Sequence, residues 1–255
     1  MKITFLGTGT SMGVPVIACH CDVCQSDDYH DHRFRTSALI ETDGGKNILI
    51  DIGPDFRMQM LTHKVEHLDA ILITHAHRDH VGGLDDIRAF NYVQNSKMQI
   101  YGNSIALNAL QRDYHYIFEP HPYAGLPEAD LHVLDGIDSF QADDETIVPI
   151  RAMHKDLPVL GYRVGPITYI TDANHIDDKE LDKLRGSEVL VINALRKSTH
   201  FSHFSLPEAL AIIDIVKPRN AYITHISHEM GLHENVSKEL PQGVHLAYDG
   251  LKVMI

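Results

Sequence analysis

The stretch ILITHAHRDHVGG, residues 71–83, constrains this chain more than any other. An aliphatic run of strand length stops, and four metal-capable side chains, His75, His77, Asp79 and His80, follow within six residues. Side chains crowded behind a strand converge at one end of a sheet. Imidazole together with carboxylate suits Zn²⁺, Mn²⁺ or Fe. Four such groups exceed what one ion with an open position needs, so the stretch predicts two ions and further ligands from elsewhere.

The other ligands are expected at other strand ends. Apolar runs recur at 2–6, 37–42, 47–52, 69–74, 98–101, 146–152, 166–171, 188–193, 220–224, 244–248 and 251–255. They are rich in Ile, Val, Leu and Tyr and are bounded by Gly, Asp, Asn or Pro, as strands are. Three of them deliver a ligand type: His154 after TIVPIRAM, Asp172 after ITYIT and His225 after AYIT. DAILITHAHRDH (69–80) and NAYITHISHEM (220–230) run alike, which suggests two similar halves meeting at one site. Helical patterns fall at 83–95, 103–116, 177–185 and 205–217, the last opened by a Ser205/Glu208 capping box with Pro207. Residues 117–145, with three prolines and many acids, read as a loop-rich insertion. No low-complexity linker divides the chain, so one α/β domain over 1–255 is expected.

Composition excludes some functions. The formal net charge of −13 and the lack of Lys/Arg runs make a long nucleic acid a poor partner. No apolar run approaches the ~18 residues of a membrane span. MKITFLGTG reads as a first strand and not as a leader, so a cytoplasmic location is the expectation. The three cysteines, Cys19, Cys21 and Cys24, all lie in CHCDVC. Clustered and odd in number, they argue for a metal and against a disulfide framework. Three thiolates leave a tetrahedral zinc site one ligand short. His228 is the preferred fourth, since a loop this short would strain to bring His20 back.

THAHRDHVGG resembles the HxHxDH signature of the metallo-β-lactamase fold superfamily. GTGTSMG (7–13), LIDIG (49–53), His154, TDAN (171–174) and THISH (224–228) fall in the order of that family. The resemblance implies a four-layer αββα sandwich with a dinuclear site at one sheet edge. It assigns His75, His77 and His154 to one ion, Asp79, His80 and His225 to the other, and Asp172 to both. The opening GTGTSMGVPVIACHCDVC, with LPVLGYRVGPITYITDAN (157–174) and THFSHFSLPEAL (199–210), is similar to phosphoribosyl cyclic phosphate phosphodiesterases of the PhnP type. That likeness implies hydrolysis of a small, cyclic phosphodiester by a hydroxide held between two Zn or Mn ions. It also implies a structural Zn on Cys19, Cys21, Cys24 and His228, and His203 as general acid, with His200 as second choice. Asp79 would help orient the hydroxide, and a homodimer fits the resemblance.

Other readings are weaker. The tRNA 3′-processing endonucleases share the opening, but their tRNA arm commonly sits between the third and fourth metal motifs, where only 17 residues separate His154 from Asp172. A non-catalytic metal scaffold is disfavoured by the full set of seven ligands. A di-iron oxidoreductase needs a flavin domain or partner, and the chain shows no such domain. Arg33 and Arg35 could reach a phosphate, although salt bridges are the plainer use. Asp249 reads as a turn residue, and Tyr114, Tyr116 and Phe118 as substrate wall or core.

Overall fold

The computed structural model of the chain describes residues 1–119, 125–142 and 145–255. Its first strands are β1 (Lys2–Gly7), β2 (Ser37–Glu41), β3 (Asn47–Ile50), β4 (Ala70–Leu72), β5 (Met98–Gly102) and β6 (Ala129–Val133). β7 (Phe140–Ala142), β8 (Glu145–His154), β9 (Leu157–Val164), β10 (Ile167–Ile170), β11 (Val189–Asn193), β12 (Asn220–Thr224), β13 (Val244–Leu246) and β14 (Lys252–Met254) follow. One sheet runs β14-β1-β2-β3-β4-β5-β6 and the other β13-β12-β11-β10-β9-β8-β7. In each sheet four neighbouring strands are parallel, β3–β6 and β10–β13, and the remaining three are antiparallel.

Three apolar layers hold the sheets. Phe5, Ile40, Ile48, Ile50, Tyr162 and Tyr169 pack between them. Leu49, Ile71, Ile73 and Ile100 face outward and meet Phe56 and Phe90 of the helices Phe56–His63 and Arg88–Gln94. Ile170, Ile192 and Ile223 meet Ala209 and Ile213 of the helix Leu206–Val216. The central strands are therefore apolar on both faces and read as unbroken hydrophobic runs. This is the expected four-layer αββα sandwich. No helix among the described residues is long and apolar enough to cross a membrane.

The strand expectations need two corrections. The span 117–145 is not loop throughout: it contains β6 and β7, with residues 120–124 and 143–144 outside the description. Both are edge or near-edge strands with exposed polar positions, so their apolar signal is weak. β9 falls outside the expected strands because LPVLGYRV carries Pro158 and Gly161, which count against a strand. Gly161 is required there, since a Cβ would lie 2.9 Å from the Tyr169 carbonyl oxygen of the neighbouring strand.

Parallel strands deliver their C-terminal ends to one side. Asp51 after β3, Asp172 after β10 and His225 after β12 all have left-handed φ, at 61°, 56° and 55°. Non-glycine residues adopt this region at a cost and are enriched at functional sites. Each strand thus turns sharply just where it presents a polar side chain.

Candidate metal centre

Seven side chains chosen from the sequence converge at this edge. The His75 ring centroid lies 4.5 Å from that of His77, 4.3 Å from His80 and 5.7 Å from His154. His77 and His154 are 5.2 Å apart, and His80 and His225 5.8 Å. Asp172 Oδ2 lies 3.1 Å from His80 Nε2 and 3.1 Å from His225 Nδ1, a central position. Asp79 Oδ2 is 3.2 Å from His80 Nε2. Ligand atoms of His75, His80 and Asp172 all fall within 4.8 Å of one another, and so do those of His154, Asp172 and His203.

The imidazoles are oriented from behind. His154 Nδ1 donates to the Ser202 carbonyl oxygen at 2.8 Å, which leaves Nε2 facing the cluster. His80 Nδ1 bonds Asp51 Oδ2 at 2.7 Å. Thr74 Oγ1 donates to Asp51 Oδ2 at 2.8 Å and meets His75 Nδ1 at 3.0 Å. Thr36 Oγ1 stands 3.2 Å from His225 Nδ1. Backing of this kind fixes tautomer and ring angle for a metal.

The donor set fits divalent ions. His80 Nε2 is buried between two carboxylates yet makes no hydrogen bond. Burial alone would lower the His80 pKa, but Asp172, Asp51 and Asp79 hold it well above the ordinary value. Burial would raise Asp172, yet His225 and His80 keep it well below the usual carboxylate range. Three acids gathered in a buried pocket call for cationic charge, and neutral imidazole nitrogens beside them are the donors zinc and manganese take.

Asp51 was missed as a functional residue. It is fully buried and reaches both His80 and, through Thr74, His75. The signal in the sequence was an acid closing an apolar strand in LIDIG. Asp51→Asn is expected to weaken binding at this cluster by roughly 10–100-fold, the usual effect of losing such backing. A competitive chelator titration measures it, and the cysteine cluster should keep its affinity.

The predicted cysteine site also assembles. His228 Nδ1 lies 3.3 Å from both Cys19 Sγ and Cys21 Sγ, and all four ligand atoms fall within 4.8 Å. His20 instead meets Gln25. A backbone hydrogen bond from Cys24 and then His228 lower Cys21 to about 6, as suits a thiolate ligand. Burial pushes Cys24 up to about 11. Cys24→Ser is expected to release one ion per chain. A ligand at 100 times its Kd stabilises by about 2.7 kcal/mol, which for a chain of this size is about 5–10 °C in Tm. Elemental analysis with a thermal melt checks both.

His203 sits over the cluster, with ring centroids 4.6 Å from His154 and 4.9 Å from His225, and Nδ1 3.7 Å from Asp172 Oδ1. Its loop is pinned on both sides. Phe204 N–H donates to the Ala173 carbonyl oxygen at 2.8 Å, and the Ser205/Glu208 capping box starts the next helix. His200 is one ring farther out, 5.2 Å from His203. Arg35 takes the salt-bridge role, whereas Arg33 is buried on neutral partners. Arg33 is buried against Thr8 and the Ala247 carbonyl oxygen, and Arg35 pairs with Asp55 at 2.7 Å. Asp249 clamps Thr8 and the Phe34 N–H, and the buried Tyr114 bonds the Val81 carbonyl oxygen.

A model of the beta-lactamase superfamily domain matches residues 46–226, and the chain belongs to that superfamily. Its fold and side-chain set are those of a metallo-hydrolase. Within the superfamily it is 36% identical to a diphosphatase of the PhnP family of known crystal structure, with a TM-score of 0.92, covering 100% of this chain and 97% of that one. Zn²⁺-bound PqqB from Methylobacterium extorquens shares the fold, with a TM-score of 0.80 at 17% identity and full coverage of both chains. An octanoyltransferase of Porphyromonas gingivalis is 41% identical over 256 residues, covering 100% of this chain and 52% of that protein. The chain thus spans about half the length of that relative.

Proposed function

We propose that this chain is a metal-dependent phosphohydrolase acting on a small substrate whose phosphorus carries two ester or anhydride links. A small, cyclic phosphodiester is the preferred form. The observation that carries the reading is the convergence of His75, His77, Asp79, His80, His154, Asp172 and His225 at one edge, with His203 above them. The full-length likeness to a protein described as a diphosphatase supports phosphorus chemistry.

His75, His77 and His154 would hold one ion, Asp79, His80 and His225 another, with Asp172 shared between them. Zn²⁺ or Mn²⁺ so bound supplies Lewis-acid stabilisation of the phosphoryl charge and a source of hydroxide near neutral pH. The chain's own residues do the remainder. Asp51, Thr74 and the Ser202 carbonyl hold the imidazole rings at fixed angles. Asp79, whose pKa burial would raise but His80 depresses, stays ionised and accepts a hydrogen bond from the attacking water. His203 donates a proton to the leaving oxygen. Burial, then the neighbouring His225, push His203 down to about 3. An incoming phosphate anion beside it favours the imidazolium and sets it up as an acid.

A tRNA-processing role is less well supported, because β9 and β10 occupy the segment between His154 and Asp172. This chain matches only 52% of the P. gingivalis octanoyltransferase, so that name does not bear on the chemistry of this edge. Hydrolysis of bis(p-nitrophenyl) phosphate, with metal content measured on the same sample, tests the proposal. About three ions per chain with turnover support it. About one zinc and no turnover after added Mn²⁺ overturn it in favour of a scaffold.

A further inference from the structure

A pocket of about 230 Å³ lies on the outer face of the first sheet, at the end away from the metal-ligand edge. β1 and β3 begin at this end with Lys2 and Asn47, and the helix Phe56–His63 finishes over it with His63 and Lys64. Strand register builds the floor. Thr4 stands opposite Lys252 on one side and Leu39 on the other, and Lys2 stands opposite Glu41. Directly opposed residues share a face. Ile3, Phe5 and Ile40 point between the sheets, so Thr4, Leu39 and their partners point outward into the pocket.

The chain carries a formal net charge of −13, yet this pocket is positive. Lys2, Lys64 and Lys252 line it against Glu41 and Glu66. Glu41 is taken by Lys2. Lys64 and Lys252 make no ion pair among the described residues. The His63 ring is half-buried beside Lys252 and has no hydrogen-bond partner among them either. Thr4 is 2% exposed, and its hydroxyl is likewise unpartnered. A buried hydroxyl left without a partner is costly. The helix end does not compete for these donors, since the Leu61 and Met60 carbonyl oxygens already accept from Lys64 N–H at 3.3 Å and Val65 N–H at 3.1 Å. Two ammoniums, a hydroxyl and an imidazole thus converge from the floor and one wall. A planar carboxylate cannot meet donors from so many directions, whereas a tetrahedral oxyanion can. The volume lies below the roughly 300 Å³ at which sites for larger ligands begin, which suits a small anion.

We propose that this pocket is a second anion site, separate from the metal-ligand edge, that holds the phosphate group of inorganic phosphate or of a small phosphate monoester on Thr4, His63, Lys64 and Lys252. The His63 ring supplies a local probe. Its Cε1–H proton resonance, assigned with His63→Gln, is followed in the zinc-loaded full chain at constant ionic strength. Inorganic phosphate should shift it saturably, with a half-effect on the order of 1 mM, the weak end of specific affinity. Thr4→Val should weaken the response several-fold. Lys64→Gln with Lys252→Gln should weaken it by about tenfold or more, the scale of losing a charge-assisted hydrogen bond. Methyl phosphate separates the two sources. An equal response means that the phosphate group alone is recognised, and a much tighter one assigns the site to a monoester. No shift at tens of millimolar phosphate, a shift that chloride reproduces, or one unchanged in the double lysine variant overturns the site. The readout is independent of turnover, so it stands whether or not the phosphohydrolase reading does.

Discussion

Asp172→Ala is expected to abolish metal binding at the His/Asp cluster and, under the proposed function, to lower turnover of bis(p-nitrophenyl) phosphate by roughly 10⁴-fold or more, the scale seen when a unit of catalytic groups loses an essential member. The expectation comes from position. Asp172 meets both sides of the cluster: Oδ2 is 3.1 Å from His80 and from His225, Oδ1 is 3.7 Å from His203, and its carboxylate lies within 4.8 Å of ligand atoms of His75 and of His154. Its carboxylate is buried, and its backbone is held in a left-handed turn that points it inward. Alanine leaves the cluster without its shared anion, so two cations held there would repel each other with less charge between them. Elemental analysis should show the loss of two ions and retention of the one at Cys19, Cys21, Cys24 and His228. Retention of all three would remove Asp172 from its shared role.

His203→Ala has the second-largest effect, a fall in kcat of about 10²–10⁴-fold with the ions retained. The ring lies close enough to Asp172 and His154 to be a ligand itself, so the metal count decides between the two roles. Full occupancy with a low kcat marks a proton donor. Loss of an ion marks a ligand. The defect of a proton donor should also shrink for a substrate with a good leaving group, such as p-nitrophenolate, which needs little protonation. A defect equal for good and poor leaving groups would argue against the acid role. His200→Ala should change kcat far less, because that ring stands outside His203.

Most of this cluster is legible in the sequence because its side chains stand at strand ends, and strand ends show as breaks in aliphatic runs. The 75–80 cluster, His154, Asp172 and His225 were all found that way. His228 was reachable because it follows His225 by three residues. Asp51 escaped notice because a single acid after a strand has many ordinary uses, and only the fold shows that it meets His80. β9 escaped because Pro158 and Gly161 mask its pattern, and the glycine is there to let β10 come near. The pocket at the far end of the first sheet could not have been read at all. Its lining comes from residues near 4, 41, 64 and 252, which no local pattern links.

The cluster is drawn from both sheets. His75 and His80 follow β4 of the first, and Asp172 follows β10 of the second. An ion bound by such a set is a rivet between two plates. Tyr162 does a smaller version of the same job, its hydroxyl on the second sheet donating to the Ile73 carbonyl oxygen of the first at 2.6 Å. Slippage between the plates would misalign the cluster, so residues deep in the inter-sheet layer would tune the affinity of a bound ion without ever meeting it.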